Sequence, residues 1–226
     1  MLVISTILLK MKEFFKKIIF RYTKLGMPRY PYNIEPIQLA TIIHSIDKLR
    51  ESKSKIKIFE IGVARGMTSR FICEHIRREN INCEFYCIDT FSSFVEEDIK
   101  YEVENRGKSR NELIGFSYNS FEVWKKNFKD FEFVLPIQED ASKFEFSKIK
   151  DIDLIFLDVD LYKPTIAVLN NVLSYMSNNG IIMVDNVEEN NEWDGAFEAF
   201  MEFTNNHKLS YKMIGKKCGV IEFKST

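Results

Sequence analysis

One stretch, residues 151–186 with the sequence DIDLIFLDVDLYKPTIAVLNNVLSYMSNNGIIMVDN, leaves few folds open. Its apolar run from Leu154 to Leu157 carries β-branched and aromatic members and predicts a buried parallel strand, with Asp158 and Asp160 at its exit. Pro164 suits the first turn of a helix, where its missing N–H costs nothing, and Ile166, Leu169, Leu173 and Met176 recur at helical spacing. Asn179-Gly180 is expected to stop that helix. A second strand, Ile181 to Val184, then ends in Asp185 and Asn186. Strand, helix and strand form a βαβ unit, so both polar ends emerge on one edge of the sheet. Ligands of open α/β sheets bind at that edge. Three crowded acids repel one another unless a cation or a shared proton relieves them. The pattern points to a divalent-metal site.

The rest of the 226-residue chain is 45% hydrophobic, enough for one sizeable core, and its net charge of −1 advertises no nucleic-acid partner. Cys73, Cys83, Cys87 and Cys218 show neither C-x-x-C nor a Cys/His cluster, so buried free thiols and a cytoplasmic setting are expected. The start, MLVISTILLK, is apolar for too few residues to span a bilayer and lacks a signal-peptide pattern; Met11 offers a second start. Residues 12–24 put Phe14, Phe15, Ile18 and Tyr22 on one helical face, with Lys12, Lys16, Lys17, Arg21 and Lys24 around the rest. Such a helix is expected to dock on its own domain or on a second subunit of a homodimer, with peripheral membrane contact as the alternative. Gly26 and Pro28 break it, and the aromatic segment to Tyr32 reads as a lid. The expected organisation is an N-terminal helix and lid over 1–35 and one α/β domain over 36–226. That domain opens on a helix from Pro36 with Leu39, Ile42, Ile43, Ile46 and Leu49 facing a core, and with a structural His44.

From Ile56, KIFEIGVARGMTSRFI reads as strand, glycine turn and helix. Gly62 and Gly66 let the backbone turn tightly against a ligand, and Glu60 offers an acceptor for an amine or hydroxyl. The G-x-x-x-G spacing departs from G-x-G-x-x-G and disfavours NAD. The next strand, Glu84 to Ile88, ends at Asp89, where an acid can hold both hydroxyls of a ribose. Phe91 to Gly115 is long, charged and without clear period, so it reads as an insertion and a second lid, its run EEDIKYEVE as a solvated face. A helix over Ser120–Phe128 and a strand over Phe131–Ile137 follow. A helix from about Glu192 to Phe203 and two closely spaced strands, Leu209–Ile214 and Val220–Phe223, predict a terminal antiparallel hairpin.

With these residues set out, the chain resembles class I S-adenosylmethionine (SAM) dependent methyltransferases. Glu60-Ile61-Gly62-Val63-Ala64-Arg65-Gly66 is similar to their first motif, Asp89-Thr90-Phe91 to the ribose acid and Glu139-Asp140-Ala141-Ser142 to the adenine-side motif. Within the superfamily it resembles the macrocin, mycinamicin and novobiocin sugar O-methyltransferases over Pro36–Phe223. The resemblance implies a Rossmann-like, mostly parallel seven-stranded sheet with helices on both faces and a C-terminal antiparallel hairpin. It implies SAM contacts at Glu60, Gly62, Gly66, Thr68, Asp89, Asp140, Ala141 and Ser142. It also implies Mg²⁺ on Asp158, Asp185 and Asn186; Asp160, two residues along the strand and so expected on the same side as Asp158, is the expected proton acceptor, although the two can exchange these roles. Two departures stand out: Asp185-Asn186 replaces the Asp-Asp of many sugar enzymes, and Lys163 is not placed like the lysine base of catechol O-methyltransferase. The implied activity is O-methylation of a sugar or glycoside hydroxyl, such as a surface polysaccharide or nucleotide-sugar precursor. The alternatives are methylation of a catechol or other small diol, and a non-catalytic SAM-binding protein.

Overall fold

The apolar run of the central stretch becomes β4 (Ile152–Leu157), buried at every position. A strand buried on both faces needs a neighbour on each edge and a helical layer on each side. β4 lies between β1 (Ile56–Ile61) and β5 (Met176–Val184), pairing in parallel with both. In this computed structural model, which describes residues 2–191 and 193–224, β2 (Cys83–Asp89), β3 (Val134–Gln138), β6 (Lys212–Ile214) and β7 (Cys218–Glu222) complete a seven-stranded sheet. Its order is β3-β2-β1-β4-β5-β7-β6. Five strands are parallel, and β7 runs antiparallel to both β5 and β6, closing the sheet with the expected hairpin.

Helices α2 (Pro36–Ser52), α3 (Met67–Arg78), α6 (Tyr162–Val172) and α7 (Gly195–Asn206) cover this sheet. Phe59, Ile61, Ile155, Leu157, Ile182 and Val184 form one core with Val168 and Leu169 of α6 and Phe200 and Phe203 of α7. The alternate residues Ile58, Glu60, Leu154, Phe156 and Met183 point the other way and are equally buried, on the side where α2 packs on β4 and α3. All four cysteines are buried free thiols.

Several boundaries differ from the sequence expectation. α6 ends at Val172, a 3-10 turn spans Leu173–Tyr175, and Met176 already belongs to β5. Asn179-Gly180 therefore lies inside a strand whose pairing with β4 slips between Ile152 and Leu154. α7 starts at Gly195, and the expected start at Glu192 lies outside the described residues. The chain divides into Met1–Asn33 and Ile34–Thr226. In the first unit, helix α1 (Leu2–Tyr22) begins well ahead of Lys12, and its side chains from residue 8 to 22 are all exposed. No helix among the described residues is long and apolar enough to cross a membrane.

The charged insertion is not simply a solvated face. Glu96–Arg106 forms helix α4, and Asp98, Ile99 and Glu102 on it are buried. Arg106 donates from Nε to Glu102 at 2.7 Å and from its terminal nitrogens to Asp194 at 2.6 Å and to Glu198. The second oxygen of Glu102 accepts the Tyr162 N–H at 2.8 Å, at the start of α6. A charge network thus anchors the insertion to the first turns of α6 and α7, where carboxylates also meet favourable helix dipoles. The side chains of Arg106 and Glu102 are 6% and 2% exposed. Arg106→Ala leaves a buried carboxylate without its cation and should cost about 3–5 kcal/mol of unfolding free energy in a urea titration. A loss below about 1 kcal/mol would place the network among ordinary surface pairs.

Candidate active site

The backbone ladder continues past the ends of the parallel strands. Gly62 N–H donates to Ile88 O at 2.9 Å, Asp158 N–H to Ile61 O at 2.8 Å, Asp185 N–H to Leu157 O at 2.9 Å and Glu139 N–H to Asp89 O at 3.0 Å. Glu139, Asp89, Gly62, Asp158 and Asp185 therefore stand side by side along the carboxyl edge. The strand order reverses between β1 and β4, which is where open α/β sheets leave a crevice.

Gly62, Ala64 and Gly66 all have positive φ, so the loop after β1 curls tightly into α3. A Cβ on Gly62 would lie 1.9 Å from the Asp158 carbonyl oxygen, which only glycine permits. Asp89 holds the loop in shape: its Oδ2 accepts from Val63 N–H at 2.8 Å and Ala64 N–H at 2.9 Å. Oδ1 accepts from Phe91 N–H at 2.6 Å and makes only a long 3.4 Å contact with the Thr90 hydroxyl, leaving acceptor capacity outward. Thr68 is half-buried in the first turn of α3. Asp140 caps a 3-10 turn, accepting from Ser142 N–H at 3.0 Å and Ser142 Oγ at 2.7 Å, and Ala141 is buried. Burial opposes ionisation of Asp140, but Ser142 and Lys143 hold its pKa below the ordinary value. Glu60 is 1% exposed and its Oε2 has no partner. Burial pushes its carboxyl up to about 8, with Ser69 opposing and Asp89 adding to the rise.

On the other side of the crevice, β4 has ended at Leu157, so Asp158 and Asp160 lie in the turn beyond it. Asp160 takes a left-handed φ of 62°, and strand alternation does not set its direction. What orients it is Asn186, whose Nδ2 donates to Asp160 Oδ1. Asp185 is 3% exposed and both its oxygens are engaged: Gln38 Nε2 donates to Oδ1 at 2.6 Å and Lys217 Nζ to Oδ2 at 2.7 Å. Lys217 Nζ also donates to Asn186 Oδ1 at 3.0 Å. Burial, then the neighbouring Asp185 and Asp160, push the Asp158 carboxyl well above its ordinary value, with Lys217 opposing. Burial works against the Lys217 ammonium, yet Asp185 and then Asp158 and Asp160 raise its pKa.

A methyltransferase-domain family model matches residues 59–187, from the middle of β1 to just past β5. The chain belongs to that methyltransferase family. No curated protein matches it. Among solved structures, the O-methyltransferase NovP is 16% identical with a TM-score of 0.68, over 92% of this chain and 88% of NovP. Calicheamicin methyltransferase CalS11 is 16% identical with a TM-score of 0.60, over 92% of this chain and 89% of its own. Its apo structure, described as a TDP-rhamnose 3'-O-methyltransferase, gives 17% and 0.55 over 91% and 86%. At such identities these likenesses establish the fold alone, a Rossmann-like sheet closed by an antiparallel hairpin.

The residues of this methyltransferase fit SAM and Mg²⁺ unequally. The glycine cradle, the outward capacity of Asp89 and the orphaned oxygen of Glu60 suit a nucleoside with a polar tail. The expected Mg²⁺ donors do not offer an open set of oxygens, because Lys217 and Gln38 already occupy those of Asp185 and Asn186. Among the described residues, no group of three or more His, Cys, Asp or Glu is arranged to hold a metal ion. As folded, the cluster suits an ammonium ion. Gln38 and Lys217 escaped the sequence reading because they lie 147 and 32 residues from Asp185. Their local signals were a polar residue on a largely apolar helix face and a lysine in a hairpin turn.

Glu60 gives this site a pH signature. The folded chain keeps the Glu60 proton to about pH 8, whereas an exposed glutamate loses it near 4.5. Between those values the folded state binds more protons than the unfolded state. The contribution is therefore complete below 4.5 and is lost as pH rises through about 8. Glu60→Gln should flatten that part of the stability profile and raise the melting temperature at pH 8 relative to wild type. Superimposable melting profiles from pH 4.5 to 8 would show that Glu60 is ionised throughout.

Proposed function

We propose that this methyltransferase transfers the methyl group of SAM to a hydroxyl of a sugar or glycoside. One observation carries the reading: a carboxylate-rich cluster, Asp158, Asp160 and Asp185 with Asn186, lies beside the glycine cradle and Asp89 on one sheet edge. Likeness in fold to NovP and CalS11 supports it. SAM supplies a sulfonium methyl whose carbon–sulfur bond breaks, its electron pair staying on sulfur, as the new carbon–oxygen bond forms. The chain must hold the acceptor oxygen in line with that methyl and remove its proton. Glu60, Gly62, Gly66, Thr68, Asp89 and Asp140–Ser142 are the proposed cofactor contacts. Asp158 and Asp160 are the proposed proton acceptors. Asn186 donates to one oxygen of Asp160, and Asp158 is partly exposed with its backbone carbonyl against Gly62 of the cradle.

A Mg²⁺-dependent version of the same reaction uses Asp158, Asp185 and Asn186, and it requires Lys217 to withdraw from two of them. Methylation of a catechol or other small diol uses the same carboxylates and differs only in the acceptor.

Incubation with SAM and a panel of nucleotide sugars, glycosides and catechols, read by mass spectrometry, should give a 14-Da gain on a sugar hydroxyl, roughly the mass of one CH₂. Products confined to catechols would move the assignment to the diol reading. Asp158→Asn and Asp160→Asn should each lower turnover, the true base by about 10²–10⁴-fold, with S-adenosylhomocysteine affinity retained. Asp89→Ala should instead weaken S-adenosylhomocysteine binding in calorimetry, and unchanged affinity would remove Asp89 from the cofactor site.

A further inference from the structure

We infer that Lys217 is the resident cation of the acceptor-side cluster, standing where a divalent metal would otherwise bind. Methyl transfer by this chain then needs no metal. The catalytic part of this inference rests on the hydroxyl-methylating reading; the replacement of a metal by an ammonium does not.

The sheet register places the lysine. β5 and β7 pair antiparallel with Val184 opposite Gly219, which brings Lys217, just ahead of β7, beside Asn186, just beyond β5. Val187 N–H donates to Lys217 O at 2.8 Å, one residue out of that register past the left-handed Asn186, and keeps the two chain segments joined there. The preceding residue is fixed too, because Lys216 N–H donates to Glu35 Oε2 at 2.8 Å at the head of α2. Two sheet strands and a helix start thus hold the backbone of Lys217, and its side chain is only 21% exposed. This is not a solvated lysine that happens to pass an acid.

The polar groups around it form one consistent set. Asn186 turns its NH₂ to Asp160 and its carbonyl oxygen to Lys217. The opposite amide orientation would press NH₂ against an ammonium and leave Asp160 facing the carbonyl. Gln38, itself fully buried, takes the other oxygen of Asp185 and closes that carboxylate to bidentate coordination. Mg²⁺ would have to sit about 2.0–2.1 Å from oxygens that already bind Lys217, bringing like charges into near contact. An ammonium has three donors, and the contacts to Asp185 and Asn186 use two. The third can meet the acceptor oxygen and stabilise negative charge as it develops there, the task a metal would have as a Lewis acid.

The test titrates the full-length protein with Mn²⁺ alone, followed by electron paramagnetic resonance, and titrates the same samples with S-adenosylhomocysteine. Wild type and Lys217→Arg should take up no stoichiometric Mn²⁺ at millimolar concentration. Lys217→Ala should gain one site, tighter by about tenfold or more, because a neighbouring like charge is gone. Asp185→Asn added to Lys217→Ala should abolish that gain. One Mn²⁺ bound by wild type and lost in Asp185→Asn overturns the inference. So does a folded Lys217→Ala protein that still takes up no Mn²⁺. If Lys217→Ala does not fold, wild type and Lys217→Arg decide the matter. Absence of S-adenosylhomocysteine binding by wild type would defeat the proposed function instead, and leaves the Mn²⁺ result readable.

Discussion

The parallel pairing of β1, β4 and β5 is the constraint on which the rest of the molecule depends. Ile61 pairs with Leu157, and Leu157 with Val184, so the last apolar residues of three strands lie in one row. A charged residue is costly in a core with no water unless it is paired or protonated. Past that row the strands end, giving Gly62, Asp158 and Asp185 on a common edge. The crevice at the reversal of strand order follows from that pairing, and the cofactor and acceptor sides of the site are its two walls.

Crowding acids along one edge creates a charge problem, and the fold answers it differently at each place. At Asp89, backbone N–H groups of the glycine loop neutralise the carboxylate and are shaped by it in turn. At Asp185 a lysine and a glutamine side chain take both oxygens. Burial pushes the Glu60 carboxyl up to about 8, so there the proton itself becomes part of the compensation, and burial with the neighbouring acids also raises Asp158 against the pull of Lys217. Farther out, Arg106 joins Glu102, Asp194 and Glu198, tying the insertion after β2 to the starts of α6 and α7. Each solution fits its surroundings: amides where the backbone turns, a cation where two strands meet, a proton where neither reaches.

Local patterns in the sequence determined much of this. The run ending at Asp158, the glycines at 62 and 66, the acid at 89 and the terminal hairpin are each legible, because burial on both faces, positive φ and tight turns restrict residue choice over a few positions. The ordered series of motifs carried the family. Tertiary structure decided what depends on residues distant in sequence. Met176 belongs to a strand instead of a helix face because β4 offers it a pairing partner, which its own neighbours in sequence do not reveal. The charged run at 96–104 became a half-buried helix because Arg106 finds partners 88 and 92 residues away. The acid cluster announced a cation but not its identity. The antiparallel pairing of β7 with β5 brings Lys217 beside Asn186, and no periodicity around residue 217 encodes that meeting.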